Sequence, residues 1–588
     1  YRYPDPDPTD PLADRIYDNP FWVINRDQNT SDVNRAIGNF DVSWDPMAWL
    51  NLKYTFGADY SADNRIEGLP PQSSGDALTG QIWQGTYSNL QLDGNFTARA
   101  EKRWSSALNT SLTLGQNVNS RDLRQVQAKG TTFIDPGLFT LNNTVNSNLQ
   151  AQNYTSLVRV AGYFAQAGVD LWDQLYLTAA VRADQSSTFP KADRTNWYPK
   201  ASLAWNAFGT GSRGPVGPLR YLKVRAAYGA VGREPIPYQI LDAFSNGAQG
   251  LDFGGGTTSP TQNGLGGLVS DTVKGAPKLK PERTGEFEGG FDFGLFKQRI
   301  DGGVTLYNAK TTDVIFYLPV PVSTGYKNVT SNGGEITNKG VEVSLNARAL
   351  ESNKLRWEIG VNWAKNKNKL VELNGADYVG LTGGFGNSLA VRGEPLGTFY
   401  GTDWVRCRYN IADADNFQST SLGASTDINA MCRAANAPNG SLFVDADGFP
   451  IQDPANRVLG NPNPNWISGI RNVFTLYKKF QISTLIDIKN GGANWNGTRL
   501  ALQRFGTYAN TAARATCDEN LVCAGNEQEF GVTMEKSPGV VGPGKGMKVP
   551  VGQNWWLDGL GNNFNGPTGQ GVEDMLEASN AAFHHHLL

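Results

Sequence analysis

The sequence predicts an all-β fold: a transmembrane antiparallel β-barrel with tight turns at one end and long loops at the other. Three observations predict it. Apolar and polar residues alternate with a period of two in run after run. The connections between runs alternate between short and long. No stretch offers the roughly 20 consecutive apolar residues that a membrane helix needs. A chain of 588 residues has room for one very large all-β domain.

The elements follow in chain order. Phe40, Val42 and Trp44 alternate with Asn39, Asp41 and Ser43, and the chain turns near Pro46-Met47. It returns with Leu50, Leu52, Tyr54, Phe56, Ala58 and Tyr60 alternating with polar or small residues. Leu90, Leu92, Phe96 and Ala98 pair with Leu108, Leu112 and Leu114 across EKRWSS. Hairpins are expected over 156–171 with 174–187 and over 197–208 with 219–231. The run GEFEGGFDFGLFKQRIDGGVTLYN, 285–308, forms the next, with Phe287, Phe291, Phe293 and Leu295 on one face. Further pairs are 338–348 with 354–365 and 466–477 with 479–489, and 389–405 reads as a more irregular strand. About fourteen to sixteen strands result, many near the 9–11 residues a tilted membrane strand needs.

The tight connections are DPMAW, LWDQ, LFKQ, ESNK and YKK. The long ones span about 61–85, 117–154, 232–280, 308–337, 366–388, 406–464 and 490–583, rich in turn-forming residues. Long loops argue against a compact soluble domain. In a barrel the apolar face meets lipid and the polar face a wet lumen, with every backbone polar group paired inside the sheet. Glu286, Glu288, Asp292, Glu342, Ser344 and Asn346 are then expected to face the lumen. Trp44, Trp49, Trp104, Trp172 and Tyr176 suit an interfacial girdle. A soluble sandwich or propeller would also show period two. Strand length, loop asymmetry and the lack of propeller-like repeats favour the membrane barrel.

Composition removes other classes. The net charge of −3 gives no basic footprint for nucleic acid. The three histidines are adjacent, His584 to His586, and read as a tail. A His-based zinc centre or a Ser-His-Asp triad is therefore not expected. No carboxylate pair stands out for glycoside hydrolysis. Neither enzyme activity nor a cofactor is expected.

Four cysteines lie in two long loops, Cys407 with Cys432 and Cys517 with Cys523. More than one connectivity is open; the local disulfides are expected, in an oxidising compartment. DADGFPIQD offers Asp445, Asp447 and Asp453, but it lacks the full oxygen set and closing Glu of a calcium loop, so a plain turn is expected. GPGKGMK, 542–548, lacks the spacing of a phosphate loop. Trp495, Trp555 and Trp556 sit among Gly and Asn, where aromatics can stack on sugar rings or simply pack a loop.

Several stretches resemble one family. They are RVAGYFAQAGVDLWDQLYLTAAVRADQSSTF (159–189), WYPKASLAW (197–205), LRYLKVRAAYGAVGRE (219–234) and LKPERTGEFEGGFDFG (279–294). NKGVEVSLNA (338–347), GEPLGTFYGTDW (393–404) and LGNPNPNW (459–466) follow. In this order they resemble the SusC/RagA-type TonB-linked outer-membrane receptors. The resemblance implies a portion of a 22-stranded barrel in the outer membrane of a Gram-negative bacterium. It implies a plug inside the barrel, energy from the TonB complex through an N-terminal region, and a SusD-like surface lipoprotein over the mouth. The implied cargo is oligosaccharide or peptide, and the surrounding partner is outer-membrane lipid.

Against that pattern the plug, the N-terminal extension and the first and final strands are expected to be missing. Residues 1–588 then form one partial barrel domain with an atypical tail at 575–588. Such a chain is not expected to close the native pore by itself, because its edge strands lack partners. Three alternatives stand beside import of glycans or peptides. They are a plugless surface barrel for binding or adhesion, siderophore import, and a soluble β-rich carbohydrate enzyme.

Overall fold

The computed structural model describes residues 18, 20–73, 78–208, 217–246, 260–261, 265–266, 268–381, 388–407, 428–446, 448, 451–496, 516–517, 523–524, 527–529 and 538–550. The described residues form two units. The first is 1–216, 221–287 and 313–332; the second is 217–220, 288–312 and 333–588.

The first unit is an antiparallel meander. Its strands are β1 (Gln28–Met47), β2 (Leu50–Leu69), β3 (Gln81–Arg103), β4 (Leu108–Thr131), β5 (Gln150–Leu171), β6 (Leu175–Ser186), β7 (Thr195–Phe208) and β8 (Leu219–Arg233). Each pairs with the next in sequence. The register sorts side chains by chemistry. Phe40 lies opposite Phe56, Val42 opposite Tyr54 and Trp44 opposite Leu52. Asp41 lies opposite Thr55 and Ser43 opposite Lys53 on the other face. The apolar face is bare: Phe40 is 65% and Trp44 62% exposed. A soluble sheet would bury such a face; a membrane strand presents it to lipid. Gln116, a polar residue on this face, donates to the Tyr163 hydroxyl at 3.3 Å, so its amide is not left bare.

The second unit continues the architecture. Strand β8, by Leu219 and Arg220, and strands β9 (Glu282–Leu295), β10 (Ile300–Pro319) and β11 (Asn328–Glu351) each give residues to both units, and β12 (Leu355–Leu373) follows. The chain then leaves the wall. Strands β13 (Tyr378–Gly380), β14 (Ser388–Val391), β15 (Thr398–Trp404) and β17 (Gln452–Gly460) make a separate four-stranded sheet, with helix Ile428–Ala434 and the short β16 (Leu442–Phe443) between β15 and β17. The wall resumes with β18 (Trp466–Leu476), which pairs with β12, and β19 (Phe480–Asn490).

Two expectations are corrected. Most wall strands are longer than 9–11 residues, reaching 24 in β4 and β11, while β18 and β19 have 11 each. The clear alternation of β2 covers Leu50 to Tyr60, about one membrane crossing. Beyond it Asn64 and Gly68 interrupt the apolar face that Ala62 and Ile66 continue, so period two fades while the ladder continues. The connections at that end shrink accordingly, to 70–80, 132–149 and 320–327. The irregular strand expected at 389–405 is two strands, β14 and β15, and neither belongs to the wall.

At the tight turns the backbone enters the left-handed region without glycine. Trp172-Asp173, Phe296-Lys297-Gln298 and Tyr477-Lys478 all have positive φ.

Candidate functional site

The opening β9–β10 hairpin shows which residues share a face. Gly302 would place a Cβ 3.1 Å from the Phe293 ring and 3.3 Å from Leu345. Its neighbour Gly303 would meet Asp292 at 2.6 Å and the Ser344 hydroxyl at 3.6 Å. Apolar and polar partners thus separate across one residue. Asp292 lies on the polar face, as do Glu342 and Ser344, which stand opposite Ala364 and Asn362. Glu286 and Glu288 are half-buried on β9. Asn346 donates to Asp301 at 3.0 Å on this face, and Lys310 pairs with Glu335 at 2.9 Å.

The polar face of the first unit carries a more developed arrangement. Ser31, Arg65, Gly85, Gln127 and Gln152 form one cross-strand row over β1 to β5. The row lies near the strand ends that open into long connections. Gly85 leaves its centre without a side chain, and the Tyr87 ring leans over the gap, 3.3 Å from where a Cβ would sit. Arg65 stacks on that ring with its guanidinium carbon 4.6 Å from the centroid, and donates to Asp63 at 2.7 Å. Ser31 also donates to Asp63, at 2.7 Å. On the far side Gln127 donates to the Tyr87 hydroxyl at 2.8 Å, and Gln152 to Gln127 at 3.0 Å. Six side chains thus form one belt across five strands.

Below the belt Arg35 makes a two-pronged ion pair with Asp59, at 2.9 and 2.6 Å. Deeper still, Asp93 accepts from Asn95, Asn117 and Asn119. Exposed ion pairs contribute about 0–1 kcal/mol each, so these add little to the stability of the wall.

A second feature overhangs the same face. Glu234, just past β8, accepts from Arg121, Ser186 and Thr188. The Tyr238 hydroxyl donates to the Thr155 carbonyl at 2.7 Å, and its ring meets Tyr154 edge-on at 6.4 Å. Gln239 donates to the Tyr317 hydroxyl at 2.7 Å. These bonds tie residues 234–239 to the wall.

In the second unit Cys407 and Cys432 form a disulfide. Both are fully buried in a cluster with Val405, Ile428, Phe443, Ile451 and Val541. Strand β20 (Val540–Val541) pairs in parallel with β16 and supplies the last of these. The two rejected loop motifs meet here. A Cβ on Gly544 would strike the Asp445 carbonyl oxygen, so GPGKG packs backbone to backbone on DADG. Gly448 N–H donates to the Asp445 carbonyl at 3.2 Å, closing a plain turn. Among the described residues no group of acids, His or Cys is arranged to hold a metal ion. Asp447 lies outside the described residues; Asp453 sits in β17 opposite Asp403, its side chain outside the described part. Cys517 and Cys523 are direct cross-strand neighbours by backbone register, and their side chains lie outside it too. Trp495 is half-buried, with an indole N–H that has no acceptor among the described residues. Trp555 and Trp556 lie outside them.

Sequence reading did not single out Arg65, Tyr87, Gln127 or Gln152. Its one available signal was Gly85, a glycine inside a strand, which marks a close approach.

Residues 1–431 match the family model described as TonB dependent receptor-like, beta-barrel. TonB-dependent receptor P3 of Formosa agariphila is 27% identical over 526 residues, which cover 86% of this chain and 49% of the relative. TonB-dependent receptor SusC of Bacteroides thetaiotaomicron is 24% identical over 371 residues, 61% of this chain and 35% of the relative. Among solved structures, the RagAB peptide transporter superposes with a TM-score of 0.65 at 18% identity, over 82% of this chain and 50% of that chain. At that identity the likeness is one of fold. The chain spans about half the length of these first relatives.

Proposed function

The chain belongs to the TonB dependent receptor-like, beta-barrel family, and from that premise we propose that it is part of an active importer in the outer membrane of a Gram-negative bacterium. The family match over residues 1–431 carries this reading. Residues 1–588 are then a portion of the barrel domain. The bare apolar face meets lipid, and the polar face, with Glu286, Glu288, Asp292 and Glu342, lines the interior. No bond in the cargo is broken. Energy comes from the TonB complex, and a SusD-like lipoprotein covers the mouth.

The cargo we propose is an oligosaccharide or a peptide. The belt of Arg65, Tyr87, Gln127 and Gln152 supports this: an aromatic ring flanked by amide and guanidinium groups suits a neutral, hydroxyl- or amide-rich ligand. Trp495, Trp555 and Trp556 belong to the loops that would shape the outer mouth.

The test is genetic. The gene is deleted in its native host, which is then grown on a panel of oligosaccharides and of peptides as sole carbon source. Loss of growth on one class, restored by the full-length gene, is the expected result. Undiminished growth on every member, together with flanking DNA that encodes neither a plug nor a SusD-like lipoprotein, overturns import.

A further inference from the structure

We propose that the tight-turn end of the second unit is a binding surface for anionic phospholipid, built from aromatic-lysine turns. The inference rests on the outer-membrane location of the barrel and not on its cargo.

The observation is a repeated turn geometry. Phe296 and Tyr477 each begin a tight turn, each has positive φ, and each is followed by a lysine that also has positive φ. In both, the chain closes by a bond back to the last strand residue, Arg299 to Leu295 and Lys479 to Leu476, each at 3.0 Å. In both, the aromatic N–H is pinned to a carbonyl at the neighbouring strand end, Phe296 to Pro218, just before β8, at 2.8 Å and Tyr477 to Lys354, just before β12, at 2.9 Å. Asn-Gly would adopt this backbone without strain. An aromatic and a lysine do so at a cost, and such strain persists where something else requires the residue.

Packing does not require it. The Phe296 side chain is 55% exposed and Tyr477 65%. Lys297 and Lys478 are exposed as well. Trp172-Asp173 in the first unit has the same backbone with an acid after the ring, so the ring goes with the turn; what sets these two turns apart is the ammonium beside it, at one end of membrane-spanning strands. Aromatic rings settle at the boundary between acyl chains and headgroups, and clustered basic residues attract anionic lipid.

Charge complementarity fixes the partner. Adjoining tight connections bring Lys297, Arg299, Lys354, Lys478 and Lys479 into one strip, exposed throughout. Backbone bonds tie its members together, Arg348 N–H to Arg299 O at 2.8 Å and Tyr477 N–H to Lys354 O. Glu351, held 3.7 Å from Arg348, and Asp301, which accepts from Asn346 at 3.0 Å, are acids beside it, each already engaged. The ammonium groups meet lipid phosphates while the rings enter the interface.

The full-length receptor that contains these residues is reconstituted in phosphatidylcholine nanodiscs with or without phosphatidylglycerol, and its thermal unfolding midpoint is measured. The wild-type midpoint is expected to rise with phosphatidylglycerol. Replacing Phe296→Asn, Lys297→Gly, Tyr477→Asn and Lys478→Gly together is expected to remove most of that rise, with the midpoint in pure phosphatidylcholine unchanged or higher because strain is relieved. Should that variant fail to fold, Lys297→Gln with Lys478→Gln, which keeps the rings, is expected to lose the rise. Equal wild-type midpoints in the two bilayers overturn the proposal. So does a variant that keeps the full rise, or one destabilised equally in both lipids. An equal rise when inorganic phosphate is added to phosphatidylcholine discs overturns lipid as the partner.

Discussion

Arg65 and Tyr87 meet face-on, the guanidinium carbon 4.6 Å from the ring centroid, over the gap that Gly85 leaves in the wall. The contact joins β2 to β3 on the polar face and is the centre of the belt. A cation over an aromatic at a partly exposed site contributes about 0.5–1 kcal/mol. A double-mutant cycle with Arg65→Ala and Tyr87→Ala, followed by denaturant unfolding, is expected to give a coupling of about that size. Gly85→Val is expected to abolish the coupling, since its side chain would occupy the place of the ring.

The Cys407–Cys432 disulfide closes a separation of 25 residues inside its own small core. Replacing both with serine is expected to weaken that module by about 3 kcal/mol. The wall strands do not depend on it. Limited proteolysis of the double variant should therefore cut within 378–460 much faster, while fragments containing β1 to β5 persist at the wild-type rate.

Gly544 lies against the backbone of Asp445 and Gly448, where no flexible side chain can yield. Gly544→Ala is expected to cost about 1–3 kcal/mol of local stability and to release β20 from β16. Hydrogen exchange at Leu442 and Val444, whose N–H groups donate to Gly539 and Val541, would report it. Unchanged protection at both would refute the clamp.

Asp27, just before β1, has its carboxyl raised above the ordinary 3.8, first by burial and then by Asp18. A raised carboxyl favours the neutral form in the folded state. Its contribution is full below the ordinary value and is lost as pH rises through the raised one. Asp27→Asn is expected to flatten this part of the pH profile and to stabilise the protein modestly near neutral pH. Thermal midpoints of both proteins across the acidic to neutral range would check the sign.

The sequence by itself determined the all-β class, the wall hairpins and, where the strands alternate, their division into an apolar and a polar face. The reason is that side-chain direction in a strand has period two and depends on nothing distant. Gly302 and Gly303, one between Phe293 and Leu345, the other beside Asp292 and Ser344, show that rule holding inside the structure. The local Cys407–Cys432 pairing was legible for a similar reason, both residues lying in one loop.

Only the tertiary structure decided the true strand lengths, the separate sheet of β13, β14, β15 and β17, and the belt. Where β4 becomes polar on both faces, from Asn119 to Asp122, the sequence stops alternating, yet the backbone ladder continues because its hydrogen bonds do not depend on side chains. The belt needs a register: Gly85 acts only because Arg65 and Gln127 stand on either side of it. Register across strands is set by the sum of many pairings, and no single segment of the chain contains it.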